Sequence, residues 1–171
     1  SLLNLSRSTE QMISLVNTLL ELARIESGRL VLVIQPCSLA EVTKRVIQNY
    51  EEYEDESQTA ISFSSDGALP VISSDPQRVR MVIETLVDNA IRYTGKVGSV
   101  HIGIKQQDSY LYWTISDTGI GIPRAQQKFI FQKFFRGANG TQFQTEGTGV
   151  GLFIAREITR ALGGDIGFTS E

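Results

Sequence analysis

The hydrophobic period of this chain changes once, at Gly28, and that change limits what the chain can build. Before it, Leu5, Met12, Val16, Leu19 and Ala23 follow a 7-4-3-4 spacing, and Ile13 and Leu20 widen the stripe. Such a seam suits one long helix lying along another, with Gly28 as its stop signal. No partner helix precedes it, so the segment reads as one half of a helical hairpin; an amphipathic helix covering its own domain would show the same pattern. After Gly28 the pattern is mixed. Leu30, Leu32 and Ile34 alternate as a strand. Ser38 and Glu41 form a capping box for a helix reaching about Asp55. Residues 60–64 read as a short strand. Asp75 and Pro76 are an N-cap and N1 pair opening a helix with Val79, Val82, Ile83, Leu86 and Ala90 on one face. Two strands follow around a turn at residues 106–108, one presenting Val100, Ile102 and Ile104, the other Leu111, Trp113 and Ile115. Residues 122–146 are rich in Gly, Gln and Phe, with a short helical start. A helix over 148–162 and a strand over 165–169 end the chain. Strands and helices interleave without regular βαβ units. This predicts an α+β fold: a two-layer α/β sandwich, a mixed sheet with helices on one face, preceded by a long N-terminal helix. The units expected are residues 1–28 and 29–171.

Composition excludes several functions. A net charge of −3 argues against a nucleic-acid surface, because such surfaces cluster Lys and Arg. One cysteine, Cys37, forbids an internal disulfide, and with the lone His101 it makes no zinc site. Residues 30–34 are the longest aliphatic run, far short of the ~20 residues that cross a bilayer. None of these residues reads as a signal peptide, and any membrane anchor of a parent protein is expected outside this segment.

Three clusters carry chemistry. Asp117 is in phase with Leu111, Trp113 and Ile115, so it sits on the core face where its strand ends. A carboxylate there must be hydrogen-bonded or reach a cavity, since burial unpaired costs several kcal/mol. Gly119 and Gly121 follow it and let backbone approach a flat ligand; an adenine offers both the N–H and the flat face. Alone, D-x-G-x-G fits a solvated Asp at a strand exit better than a ligand site. Asn89 points inward, three residues after Leu86 and seven after Val82. Its carbonyl oxygen suits Mg²⁺, and an Asn ending a helix is the plain alternative. Arg92 and Tyr93 follow within reach of phosphates or a pocket edge. Finally Gly147, Thr148, Gly149, Val150, Gly151 and Leu152 open a helix, whose N-terminal N–H groups can bind phosphate. The run is G-x-G-x-G, neither a dinucleotide fingerprint nor a P-loop, and the H-R-D and D-F-G signatures of eukaryotic-type protein kinases are missing.

In this order the clusters resemble the ATP-binding domain of sensor histidine kinases, within the superfamily that includes type II topoisomerase and heat-shock chaperone ATPases. Residues 88–94 (DNAIRYT) resemble the N box and 117–123 (DTGIGIP) the G1 box. Residues 130–137 (IFQKFFRG) resemble the F box, and 147–152 (GTGVGL) the G2 box. Residues 12–28 are similar to the second helix of the family's dimerisation hairpin. The resemblance implies ATP and Mg²⁺ held between helices and a lid over about 122–146. Asp117 would accept the adenine amino group, Gly119, Gly121 and Ile122 would border the base, and Asn89 would bind Mg²⁺. Arg92, Lys133 and Arg136 would meet phosphate, and residues 147–152 would form the phosphate-facing hinge. Phe131, Phe134 and Phe135 would anchor the lid by packing.

The resemblance further implies γ-phosphoryl transfer to a histidine on a helix absent from this chain, contributed by its own or a paired protomer, and then to a response-regulator receiver aspartate. The intact parent would be a membrane-anchored homodimer with this portion cytoplasmic. Alternatives are a serine kinase or ATPase of the same superfamily, or a degenerate nucleotide-sensing module. Three departures stand out. His101 alternates outward on a strand and is no phosphoacceptor. Thr85 occupies a position where the family often has a second Asn. The chain ends ahead of the family's usual final strand.

Overall fold

The computed structural model describes residues 2–53, 59–95, 97–136 and 148–171. Among these residues ten elements follow in order: α1 (Leu2–Glu26), β1 (Gln35–Cys37), α2 (Leu39–Tyr53), β2 (Ala60–Ser65), β3 (Ile72–Ser74), α3 (Pro76–Thr94), β4 (Ser99–Gln107), β5 (Tyr110–Asp117), α4 (Arg124–Gln127) and α5 (Gly151–Ala161). The main sheet has the order β2-β4-β5, with β2 parallel to β4 and β4 antiparallel to β5; β1 and β3 form a separate antiparallel ribbon. The sheet is mixed, as expected, and helices pack on one face.

The first core lies between that face and the helices. Val100 and Ile102 of β4 are fully buried against Val46 and Ile47 of α2 and Val79, Ile83, Val87 and Ala90 of α3. Trp113 of β5 joins them and donates its indole N–H to the buried Thr43 hydroxyl at 3.0 Å, which meets the need of a buried indole for an acceptor. The opposite face of the sheet is exposed. His101 lies there, its ring nitrogens 2.9 and 3.1 Å from the Ser62 and Ser64 hydroxyls, the surface position its alternation predicts.

A second core joins α1 to α5: Leu22, Val150, Ile154 and Ile158 are buried together, with Ile25, Leu30, Met81, Val82 and Phe153 around them. Glu21 of α1 is buried as well and shares its carboxylate between Arg24 and Arg78, each at 2.5 Å. Glu26 pairs with Lys133. The predicted seam faces elsewhere: Met12, Ile13, Val16, Leu19 and Leu20 are exposed. The helix stops as Gly28 and Arg29 donate back to Ile25 and Arg24, satisfying carbonyls left open at a helix end. Among the described residues no helix is long and apolar enough to cross a membrane.

Three boundary expectations are corrected. Leu30, Leu32 and Ile34 do not form a strand; pairing begins only at Gln35. The Val33 N–H goes to the Asp75 carboxylate at 2.9 Å, and Leu30 packs into the second core, so this run spends its polar and apolar groups outside any ladder. Residues 165–169 are likewise not a strand. Asp165 there is bound by Arg156 and Arg160. The closing helix starts at Gly151 rather than at 148, because Thr148 turns back, its hydroxyl accepting from the Val150 N–H at 3.4 Å. The expected helix end near Asp55 lies outside the described residues, beyond Tyr53.

Candidate functional site

The start of α3 is fixed by Asp75. One carboxylate oxygen accepts from the Gln77 and Arg78 N–H groups at 3.0 and 3.2 Å, and the other from Val33. Burial pushes this carboxyl upward, but the three backbone donors (Val33, Arg78, Gln77) and the Arg78 charge together outweigh it and hold it below the usual Asp range. With its first turn pinned, α3 presents Thr85 and Asn89 one turn apart on one side. At its far end Arg92 and Tyr93 are half-buried.

The strand exit meets that far end directly. Asp117 pairs in register with Val100, so it keeps the core-facing phase that was predicted. It is nevertheless exposed, because the sheet ends there, and its Oδ1 accepts the Gly119 N–H at 2.8 Å. The Ile120 N–H donates to the Tyr93 carbonyl at 3.2 Å. The same carbonyl excludes any side chain at Gly119: an added Cβ would lie 2.4 Å from the Tyr93 oxygen and 2.6 Å from Asp117 Oδ1. Thr118 continues the contact, exchanging bonds with Ser99 at 3.1 and 3.0 Å. The Asp-Gly turn and the Asn helix are therefore one surface. Gly121 and Ile122 follow beside the last residues, where the Ile122 N–H donates to the Ser170 hydroxyl at 2.7 Å.

The glycine run approaches α3 from the other side. A Cβ on Gly151 would lie 3.3 Å from the Thr85 methyl group. Val150 is fully buried, Leu152 half-buried, and α5 packs along α3. Gly149 has φ +69°, and a Cβ there would press on the backbone of Phe134 and Phe135 at 2.9–3.1 Å, so only glycine allows this turn and this proximity together. Gly147 lies outside the described residues, as do Gly137 and the rest of the expected lid to residue 146.

The aromatic residues of 130–137 do pack. Phe131 stacks edge-on against Phe168 at 5.9 Å and under the Arg156 guanidinium, and Phe135 meets Phe129 at 5.6 Å. Phe134 differs, being 64% exposed. Lys133 pairs with Glu26 and lies over the Phe153 ring. Arg136 is exposed. Sequence reasoning missed Glu21, Arg78 and Glu26. Their contacts span 57 and 107 residues, which no local pattern signals. It also missed the Tyr50 hydroxyl, which donates to Asp88 beside Asn89. Burial and then the Asp88 charge raise the Tyr50 phenol far above its ordinary range, so it stays a donor.

Residues 74–171 match the family model described as histidine kinase-, DNA gyrase B- and HSP90-like ATPase. The chain belongs to this family. It is 30% identical over 161 residues to the circadian input-output histidine kinase CikA of Synechococcus elongatus, covering 93% of this chain and 21% of CikA. Full-length ShkA in complex with AMPPNP superposes with a TM-score of 0.77 at 26% identity, covering 92% of this chain and 32% of that one. The histidine kinase ThkA in complex with response regulator protein TrrA shares the fold, with a TM-score of 0.73 at 24% identity, over 91% of this chain and 43% of that one. The chain spans about a fifth of the length of the first curated relatives it matches.

Proposed function

We propose that this is the ATP-binding catalytic domain of a two-component sensor histidine kinase, with α1 the second helix of its dimerisation hairpin. The observation that carries the reading is the convergence on α3: the strand-exit turn is bonded to Tyr93, and the glycine run touches Thr85, so an elongated ligand could lie along one helix from turn to turn. Asp117 would accept the adenine amino group, with Gly119, Gly121 and Ile122 against the base. Arg92, Tyr93 and residues 148–152 would face the phosphates. Asn89 fits a Mg²⁺ ligand through its amide oxygen. Among the described residues no three His, Cys, Asp or Glu side chains form a metal cage, which suits a cation that takes most of its oxygens from phosphate and water.

When bound, Mg²⁺ would neutralise charge on the triphosphate during transfer. The protein's share is positioning: a fixed base-binding turn, a fixed helix carrying Asn89 and Arg92, and a helix N-terminus for the phosphates. The γ-phosphoryl group would pass to a histidine on a helix outside this chain, and from there to a response-regulator aspartate; ThkA, solved with TrrA, offers a parallel. Cytoplasmic placement of this portion, in a membrane-anchored dimeric parent, belongs to the same reading. Calorimetry with AMPPNP, with and without Mg²⁺, tests it. Saturable binding that strengthens with Mg²⁺ is expected, and no binding in either condition would overturn it.

A further inference from the structure

Lys133 stands where three elements meet. Its ammonium group pairs with the carboxylate of Glu26, the last residue of α1, and lies 5.4 Å from the centre of the Phe153 ring. Phe153 belongs to the first turn of α5, and that turn opens at Gly151, where helix N–H groups favour negative charge. The pair is open to water, with side chains 40% and 48% exposed, so it is weak and exchangeable. The next residue is strained. Phe134 has φ +61°, which bulky L-residues rarely adopt, and its exposed ring gains nothing from burial in return. Gly149 runs close beside it, where an added Cβ would lie 2.9–3.1 Å from the backbone of Phe134 and Phe135. By contrast Glu21 of α1 pairs with Arg78 in a buried position at the start of α3. Among the described residues the helix thus has one buried ion pair to α3 and one exposed pair to Lys133.

We propose that Glu26 is a competitor for nucleotide phosphate. It holds Lys133 on α1 in the nucleotide-free domain, and the triphosphate end of an adenine nucleotide takes Lys133 from it. Phosphate binding and the docking of the end of α1 then draw on one cation, and each weakens the other by the same factor. This rests on the assignment of residues 148–152 to the phosphate end.

Calorimetry on the full 171-residue chain at low salt tests the exchange, with Mg-AMPPNP and with adenosine as probes. Glu26→Gln should tighten AMPPNP about two- to fivefold, the range an exposed ion pair can supply, and leave adenosine unchanged. Lys133→Gln should weaken AMPPNP, and adding Glu26→Gln to it should then change nothing. The proposal is overturned if Glu26→Gln leaves AMPPNP affinity unaltered, tightens adenosine equally, or acts as strongly without Lys133. If the unaltered chain binds neither probe, the nucleotide assignment itself fails and the exchange with it. If the unaltered chain binds AMPPNP but the coupling is missing, only the exchange is wrong.

Discussion

Asp117 does its structural task with one oxygen, accepting the Gly119 N–H, and the Asp-Gly turn leaves its carboxylate open at the sheet end. Asp117→Asn should weaken AMPPNP binding by about 1.5–3 kcal/mol, the worth of a hydrogen bond to a charged group, with the melting temperature nearly unchanged; calorimetry beside a thermal melt reads both. Gly119→Ala is a different kind of change. A Cβ 2.4 Å from a backbone oxygen has to push the turn off Tyr93, so binding should fall together with stability. Asp75 gives a pH signature. Its folded carboxyl lies below the ordinary Asp value, so its contribution is complete above about pH 4 and is lost as pH falls through the folded value. Urea midpoints between pH 6 and pH 3 should drop more steeply for this chain than for Asp75→Ala. At pH 7 that variant should already be less stable by about 1–2 kcal/mol from the lost cap.

At the scale of elements, α2, α3, β4 and β5 were legible because each carries its own local instructions. Ser38 with Glu41 and Asp75 with Pro76 announce helix starts, and two alternating triplets announce strands sharing a face. Phase also identified Asn89 and Asp117 as residues worth watching, although burial at Asp117 was overestimated, since phase does not tell where a sheet ends. The failures have a common cause. Leu30, Leu32 and Ile34 alternate like a strand, but a strand needs a neighbour, and Val33 is claimed by Asp75 instead. The 165–169 run has the same weakness, with Asp165 held by two arginines. How α1 docks was illegible for a related reason: Glu21 and Arg78 look like ordinary solvated charges until the fold brings them together. Arg78→Ala leaves a buried carboxylate with only the exposed Arg24 for a partner, and breaking a buried pair costs about 3–5 kcal/mol. Release of α1 relieves that cost, so hydrogen exchange should show lost protection over residues 12–26 while β4 and α3 keep theirs.

On the scale of the whole molecule, two packed bodies share α3. One is sealed by the sheet, α2 and the face of α3 bearing Val79, Ile83 and Val87; the other is sealed by α5 and the end of α1, with Met81 and Val82 contributed by the same helix. The base-binding turn hangs from the first body and the glycine run from the second. Heating should therefore loosen α1 and α5 before the sheet, visible as unequal exchange rates across the two regions, and Mg-AMPPNP should narrow that difference as well as raise the melting temperature. On the proposed assignment the ligand is a staple across a seam: the two halves share one nineteen-residue rod, and what a nucleotide changes is how stiffly that joint can bend.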